Sequence, residues 1–116
     1  MNQYYALIGD IIESRSLANR AKIQEALSQA LNGLNERYQG HLASRFSLTL
    51  GDEFQGLLKV GAPIFQMIDE LRLALPDLNL RFGLGLGEIL TSINPAVSLG
   101  ADGPAYWRAR EAIQQV

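Results

Sequence analysis

The sequence contains no cysteine and a single histidine, His41. Disulfides and thiolate metal sites are therefore excluded, and so is any metal site built from several imidazoles. No apolar run approaches the roughly 20 residues of a membrane-spanning helix, and the N-terminus has no signal-peptide pattern. Lysine and arginine are scattered and the formal net charge is −2, which argues against a nucleic-acid-binding face. We therefore expect a cytoplasmic protein whose domain contacts neither membrane nor nucleic acid.

The residues that are present fit one globular domain. A chain of 116 residues with 47% hydrophobic and 19% charged residues is large enough to bury a single core. The last predicted helix, from about Pro104, reaches the end of the chain without a glycine or proline that would end it. We therefore expect residues 1–116 to form one domain, the N-terminal part of a longer protein.

Hydrophobic periodicity predicts four strands and three helices. The strands are predicted over residues 4–12, 46–50, 54–58 and 80–89, and the helices over 16–38, 63–75 and from 104. The order is β-α-β-β-α-β followed by a helix, and its two middle strands form a hairpin. This order predicts an α+β, ferredoxin-like antiparallel sheet with both crossover helices on one face and an additional C-terminal helix.

Two aspartates meet at one edge of this predicted sheet. Right-handed crossovers place the first and third strands side by side, so Asp10 at the end of one approaches Asp52 in the turn before the other. Carboxylates, with water and phosphate oxygens, are the ligands that Mg²⁺ requires. Residues 11–15 lead into a helix N-terminus, which favours a polyphosphate, and Ser14 is a candidate cofactor-binding residue. The alternative, that both aspartates are ordinary turn and helix-entry residues, stays open.

Gly83, Gly85 and Gly87 alternate along the fourth strand and leave one face without side chains. A helix, a partner subunit or a ligand can approach such a strip, and a strongly twisted strand with bulges is the alternative. Arg81 begins the same face and fits a solvated charge.

The last predicted helix carries three candidate side chains. Arg108 and Arg110 differ by about 200° around a helix, so they cannot serve one site together. Trp107 can stack on a base, although a lone tryptophan is more typical of a core.

Four segments resemble the SatD family of bacterial proteins: YALIGDIIESRSL, TLGDEFQGLL, RFGLGLGEI and GADGPAYWRAR. The resemblance covers nearly the whole chain and is most specific in GDEFQGLL and GADGPAY. It implies a protein longer than this chain, with a helix-turn-helix segment beyond its end, and an association with acid tolerance and secretion. It implies little about the chemistry.

The same segments are similar, more distantly, to class III nucleotidyl cyclases, and GDEF resembles the signature of diguanylate cyclases. That similarity implies that Asp10 and Asp52 bind metal, with the Ile11 carbonyl as a further ligand. It implies that Arg110 is the transition-state arginine, which the cyclases supply across a homodimer interface. Mg²⁺ and a homodimer are therefore expected.

The chain departs from the cyclase pattern where the base is recognised. Leu48 occupies the position of the cyclases' purine-selecting lysine. Tyr106 occupies the position of their transition-state asparagine, or Trp107 does if the alignment of the preceding loop is shifted by one residue. Asp102 is the candidate for the base-reading acid. The metal–triphosphate half therefore resembles that of the cyclases, whereas the base-reading half is lost or altered.

We predict that the domain binds a Mg²⁺-complexed phosphate ligand, a nucleotide, in a cyclase-like site that is degenerate or has a changed substrate. The sequence leaves open whether the chain is an enzyme. The alternative is a non-enzymatic regulatory or dimerisation module that serves a DNA-binding segment beyond this chain. In that hypothesis the glycine strip and Trp107 pack against a partner.

Overall fold

The computed structural model describes residues 2–12, 20–49 and 52–115. Its strands and helices follow the predicted order: β1 (Tyr4–Ile11), α1 (Arg20–Arg37), β2 (Leu42–Leu48), β3 (Glu53–Lys59), α2 (Ile64–Ala74), β4 (Leu80–Gly87) and α3 (Pro104–Gln114). A short 3₁₀ turn, Gln39–His41, precedes β2, and His41 is exposed there. Within these residues, no helix combines the length and the apolar character needed to span a membrane.

The four strands form one antiparallel sheet in the order β2-β3-β1-β4. This is the predicted ferredoxin-like topology, with β1 and β3 side by side at the centre, so the α+β prediction is confirmed. In the ladder, Asp10 at the end of β1 lies between Glu53 of β3 and Arg81 of β4. The register therefore places three charged residues next to one another on one face of the sheet.

Alternation along β1 divides the core into two layers. Leu7 and Ile11 pack with the buried residues of α1 and α2. Ala6 and Ile8 point to the opposite face and pack against α3. The two crossover helices cover one face, as predicted, and the C-terminal helix covers the other.

Helix α1 is fixed to the sheet by an apolar stripe and one buried amide. The stripe consists of leucines spaced three and four apart, Leu27, Leu31 and Leu34. Beside them the Asn35 side chain is buried; its Nδ2 donates to the Phe46 carbonyl, and its Oδ1 accepts from the Phe46 N–H at 2.7 Å. The amide therefore has a partner for both its donor and its acceptor, as burial requires.

Strand β2 differs from the predicted strand over 46–50, because it begins at Leu42 and ends at Leu48. Its pairing with β3 shifts register twice, and its alternating buried positions, Leu42, Ser44 and Phe46, include a polar residue. Ser44 is fully buried, and its hydroxyl donates to the Asn94 carbonyl at 2.7 Å.

The predicted start of α1 and the centre of the hairpin turn lie in 13–19 and 50–51, outside the described residues.

The glycine row of β4 is the surface on which α3 packs. A Cβ added at Gly83 would overlap the Ala109 carbonyl oxygen, and one at Gly85 would overlap the Ala105 carbonyl oxygen. At Gly87 an added Cβ would lie 2.9 Å from the Ala105 nitrogen. Among the alternatives that the sequence left open, the structure therefore selects a helix, and this strip is not available to a partner.

We expect Gly85→Ala to destabilise the protein by about 1–3 kcal/mol, because the new methyl group displaces the α3 backbone. Gly40→Ala is the matched control, since an added Cβ there meets no atom within 4 Å. The measurement is the free energy of unfolding in denaturant for both variants. Equal stability of the two would show that α3 does not pack this closely.

Candidate functional site

A row of four charged side chains, here called the charge row, crosses the sheet at the end of β1 and continues onto α3. Arg81 donates to both oxygens of Asp10, from Nε at 2.9 Å and Nη2 at 2.8 Å. Arg110 of α3 donates to both oxygens of Glu53, from Nη1 at 2.9 Å and Nη2 at 2.7 Å. Both are bidentate ion pairs, the strongest geometry that arginine and carboxylate form.

The strand register explains why the row needs two arginines. Asp10 and Glu53 are direct cross-strand neighbours, and two carboxylates in that position repel each other. Each carboxylate is neutralised by its own guanidinium. The Asp10 carboxylate raises the pKa of Arg81, and the Glu53 carboxylate raises the pKa of Arg110, in both cases first through the side-chain hydrogen bonds.

The turn that carries Asp52 is joined to the same end of β1. The Ile11 N–H donates to the Asp52 carbonyl at 3.2 Å. The Asp52 side chain borders a small cavity with Arg20, Ile23 and Gln24 at the start of α1. The two predicted metal-binding aspartates therefore lie at one end of the sheet, Asp10 on the α3 face and Asp52 beside α1.

The oxygen donors at this end match the chemistry of Mg²⁺. A carboxylate at Asp10, a second at Asp52 and the Ile11 carbonyl are hard ligands, and Mg²⁺ commonly takes only one or two protein carboxylates besides phosphate oxygens and water. Within the described part of the chain, no three or more Asp, Glu, His or Cys residues are grouped closely enough to hold a metal ion. Both Asp10 oxygens accept hydrogen bonds from Arg81, so the guanidinium competes with a cation for this carboxylate.

A pocket of about 420 Å³ adjoins the charge row on the α3 face. It is lined by Ile8, Gln55, Ala101, Asp102, Tyr106, Trp107 and Arg110. Arg110 therefore belongs to both the pocket and the charge row. The Trp107 side chain is a wall of the pocket rather than a core residue, because it is 53% exposed and its Nε1 donates to Asp102 at 2.8 Å.

The Tyr106 hydroxyl is the unusual polar group of this pocket. Tyr106 is only 6% exposed, and its buried oxygen forms no hydrogen bond of ordinary length among the described residues, although the side chains of Ser98 and Gln55 lie near enough to influence it. Its neighbours are engaged with each other, because the Ser98 hydroxyl donates to the Gln55 backbone carbonyl and the Gln55 amide donates to the Ser98 carbonyl, both at 2.9 Å. Burial raises the pKa of Tyr106 to about 12, although the side chains of Ser98 and Gln55 act in the opposite direction.

The predicted site residues fall into three groups. Those at the end of β1 and around the charge row are Asp10, Ile11, Asp52 and Arg110. Asp102 lines the pocket together with Arg110, and Ser14 lies outside the described residues. Arg108 is exposed and donates to the Leu86 carbonyl, away from Arg110, as their angular separation predicted. The functional roles of these residues stay predictions.

Sequence reasoning did not identify three residues that shape the site. Arg81 was interpreted as a solvated charge, Glu53 was not assigned, and Gln55 was not considered. The predicted topology carried a usable signal for two of them, because it already placed β3 and β4 on either side of β1. Aligning the charged ends of those strands would have brought Glu53 and Arg81 to Asp10.

Comparisons with known proteins agree on the family and the fold. The model of the SatD family matches residues 4–116. No curated protein matches the sequence.

Solved structures with this fold include a bacterial light-regulated adenylyl cyclase, with a TM-score of 0.71 at 15% identity over 98% of this chain and 70% of that one. The guanylyl cyclase Cya2 has a TM-score of 0.65 at 15% identity, over 97% of this chain and 72% of that one. The guanylate cyclase domain of RhGC from Catenaria anguillulae, in complex with GTP, has a TM-score of 0.62 at 16% identity, over 96% of this chain and 72% of that one. The chain therefore has the fold of nucleotidyl cyclase domains.

We expect Tyr106→Phe to be at least as stable as the parent at pH 7, because it removes a buried hydroxyl that has no partner. Above pH 10, Tyr106 is ionised in the unfolded parent but stays protonated in the folded parent. The free energy of unfolding of the parent therefore falls by up to about 1.4 kcal/mol per pH unit until about pH 12. Tyr106→Phe has no hydroxyl to ionise at this position, so its free energy of unfolding does not show this decrease. Denaturant unfolding at pH 7, 10 and 11 measures the difference.

Tyr4→Phe on β1 is the control for loss of a half-buried tyrosine hydroxyl. Parallel pH dependence of the parent and Tyr106→Phe would contradict the burial of this hydroxyl.

Proposed function

Because the chain belongs to the SatD family and folds as nucleotidyl cyclase domains do, we propose that it binds a nucleotide through its Mg²⁺-complexed phosphates at the end of β1. The observation that carries the proposal is the position of the charge row. One of its arginines, Arg110, also lines a pocket of about 420 Å³, a size that suits small-molecule ligands. A nucleotide has the same two parts, a charged chain and a flat ring.

The phosphate half of the ligand belongs at the charge row. In this proposal Asp10, Asp52 and the Ile11 carbonyl hold the cation at the end of the sheet, between its two faces, and Arg110 supplies positive charge to the phosphates. Mg²⁺, when bound, neutralises and orients the polyphosphate. The two ion pairs keep the carboxylates neutralised before the ligand arrives, and the ligand with its metal replaces them.

The ring of the nucleotide belongs in the pocket, where recognition differs from that of the cyclases. Leu48, at the position of the purine-selecting lysine, packs against the core on the α1 and α2 face and does not line the pocket. Asp102 does line it, and we propose that its carboxylate accepts a hydrogen bond from the ring. These differences favour a nucleotide-binding domain of altered or degenerate specificity.

The proposal includes the homodimer that the cyclase resemblance implies. In this structure Arg110 is paired with Glu53 of its own chain. In the dimer the phosphates of the bound nucleotide replace that carboxylate as the partner of Arg110. Sedimentation of the protein with and without Mg²⁺–nucleotide tests this part, and a monomer under both conditions would contradict it.

Isothermal titration with ATP and with GTP, each with and without Mg²⁺ or Mn²⁺, tests the proposed function. We expect binding that requires the metal and that is abolished in Asp10→Asn and in Asp52→Asn, because each variant loses a charged oxygen ligand. Asp77→Asn makes the same charge change at an exposed position and should bind as the parent does. Absence of heat with either nucleotide, from folded protein, would overturn the proposal.

We expect Arg81→Gln to bind Mn²⁺ alone several-fold more tightly than the parent, because it frees Asp10 from its ion pair. Arg37→Gln is the matched control, since it breaks an ion pair with Glu70 on α2 and changes the net charge equally. Electron paramagnetic resonance of free Mn²⁺ measures the affinities. An equal gain in both variants would show that only the overall charge matters.

A further inference from the structure

We propose that the ring of the bound ligand stacks on the indole of Trp107, and that Asp102 holds this indole in place. The ligand class is a flat aromatic heterocycle joined through a short spacer to an anionic group. This role of Trp107 rests on the proposed nucleotide binding and deepens it, because it assigns the residue that binds the ring.

The Trp107 side chain is exposed although tryptophan is usually well buried. It is 53% exposed, whereas its neighbours Ala105 and Ala109 are fully buried and form the contact between α3 and the sheet. Helix α3 therefore packs on the sheet without needing the indole as a core residue. The indole lines the pocket of about 420 Å³ and is open to a molecule that enters it.

Hydrogen bonds hold the indole in one orientation. Its Nε1 donates to Oδ1 of Asp102 at 2.8 Å. The Asp102 backbone is held in turn, because its N–H donates to the Thr91 hydroxyl at 2.9 Å and its carbonyl accepts from the Leu90 N–H at 2.8 Å. An aromatic surface that is restrained before the ligand arrives loses less conformational entropy on binding. The indole is therefore a preorganised stacking surface.

The spacing along α3 matches a ring that carries an anionic group. Trp107 and Arg110 are three residues apart, so they lie on the same side of the helix, about 4.5 Å apart along its axis. Both line the same pocket. The guanidinium of Arg110 already binds an anion, the Glu53 carboxylate, at 2.7 Å. A ring stacked on the indole thus places an anionic substituent beside this guanidinium, and in a nucleotide the sugar is the spacer.

Tryptophan emission tests this stacking directly. The chain contains one tryptophan, so its intrinsic fluorescence reports on this indole alone. The parent is titrated in Mg²⁺ with ATP, GTP, CTP and UTP, and with inorganic tripolyphosphate as the probe that has no ring. Free N-acetyltryptophanamide corrects for light absorbed by the nucleotides. We expect saturable quenching by the preferred nucleotide and none by tripolyphosphate.

Calorimetric titration of two variants measures what the indole contributes to affinity. We expect Trp107→Leu to lose about tenfold to a hundredfold in affinity for the preferred nucleotide, as loss of a stacking aromatic does elsewhere, and Trp107→Phe to lose less. Both should bind tripolyphosphate as the parent does. Phe65→Leu is the matched control, because Phe65 is an exposed aromatic residue on α2 that does not line this pocket.

The outcomes separate the role of Trp107 from the proposed function. A parent that binds nucleotide in Mg²⁺ without a change in emission, or a Trp107→Leu variant that keeps full nucleotide affinity, would overturn the role and leave the proposed function intact. So would equal losses for nucleotide and tripolyphosphate, since the indole would then support the fold or an interface. A folded parent that binds neither probe would overturn both. The emission measurement uses the parent alone, so it decides the question even where Trp107→Leu fails to fold.

Discussion

The contact of α3 with the side-chain-free face of β4 is the constraint on which the site depends. Because Gly83 and Gly85 have no Cβ, the backbone of α3 approaches the strand closely enough to leave no room for even a methyl group. This approach fixes the height of the helix above β1 and β3. Arg110 therefore reaches Glu53, and Tyr106 and Trp107 border the pocket, from a helix that no ion pair alone would hold in place.

The sequence predicted the fold better than it predicted the site, for a physical reason. Strand order and layers follow from periodicity and from the handedness of the crossovers, both of which can be seen in one chain. The start of strand β2 was placed too late because Ser44, at one of its alternating buried positions, is polar and hides the apolar pattern that begins at Leu42. The glycine row was recognised as a contact surface, but only the structure identified α3 as the element that covers it.

Of the candidate site, only the features that follow from strand order were predicted. Asp10 and Asp52 were brought together because strand order alone places their backbones at one edge. The partners of Asp10 depend on the exact register of three strands, so Arg81 and Glu53 did not emerge. The state of Tyr106 depends on atoms from β3, from the loop before α3 and from α3 itself, and no local pattern in the sequence encodes the absence of a hydrogen bond.

In the proposed complex, the shared position of Arg110, between Glu53 and the pocket, would couple the binding of the phosphates to the binding of the cation. A ligand that draws this guanidinium away from Glu53 leaves two adjacent carboxylates with one counter-charge, and that pair attracts a cation more strongly. The coupling is reciprocal, because whatever factor the phosphates contribute to cation affinity the cation returns to phosphate affinity. In the proposed complex, cation and phosphates are then cooperative ligands of one site.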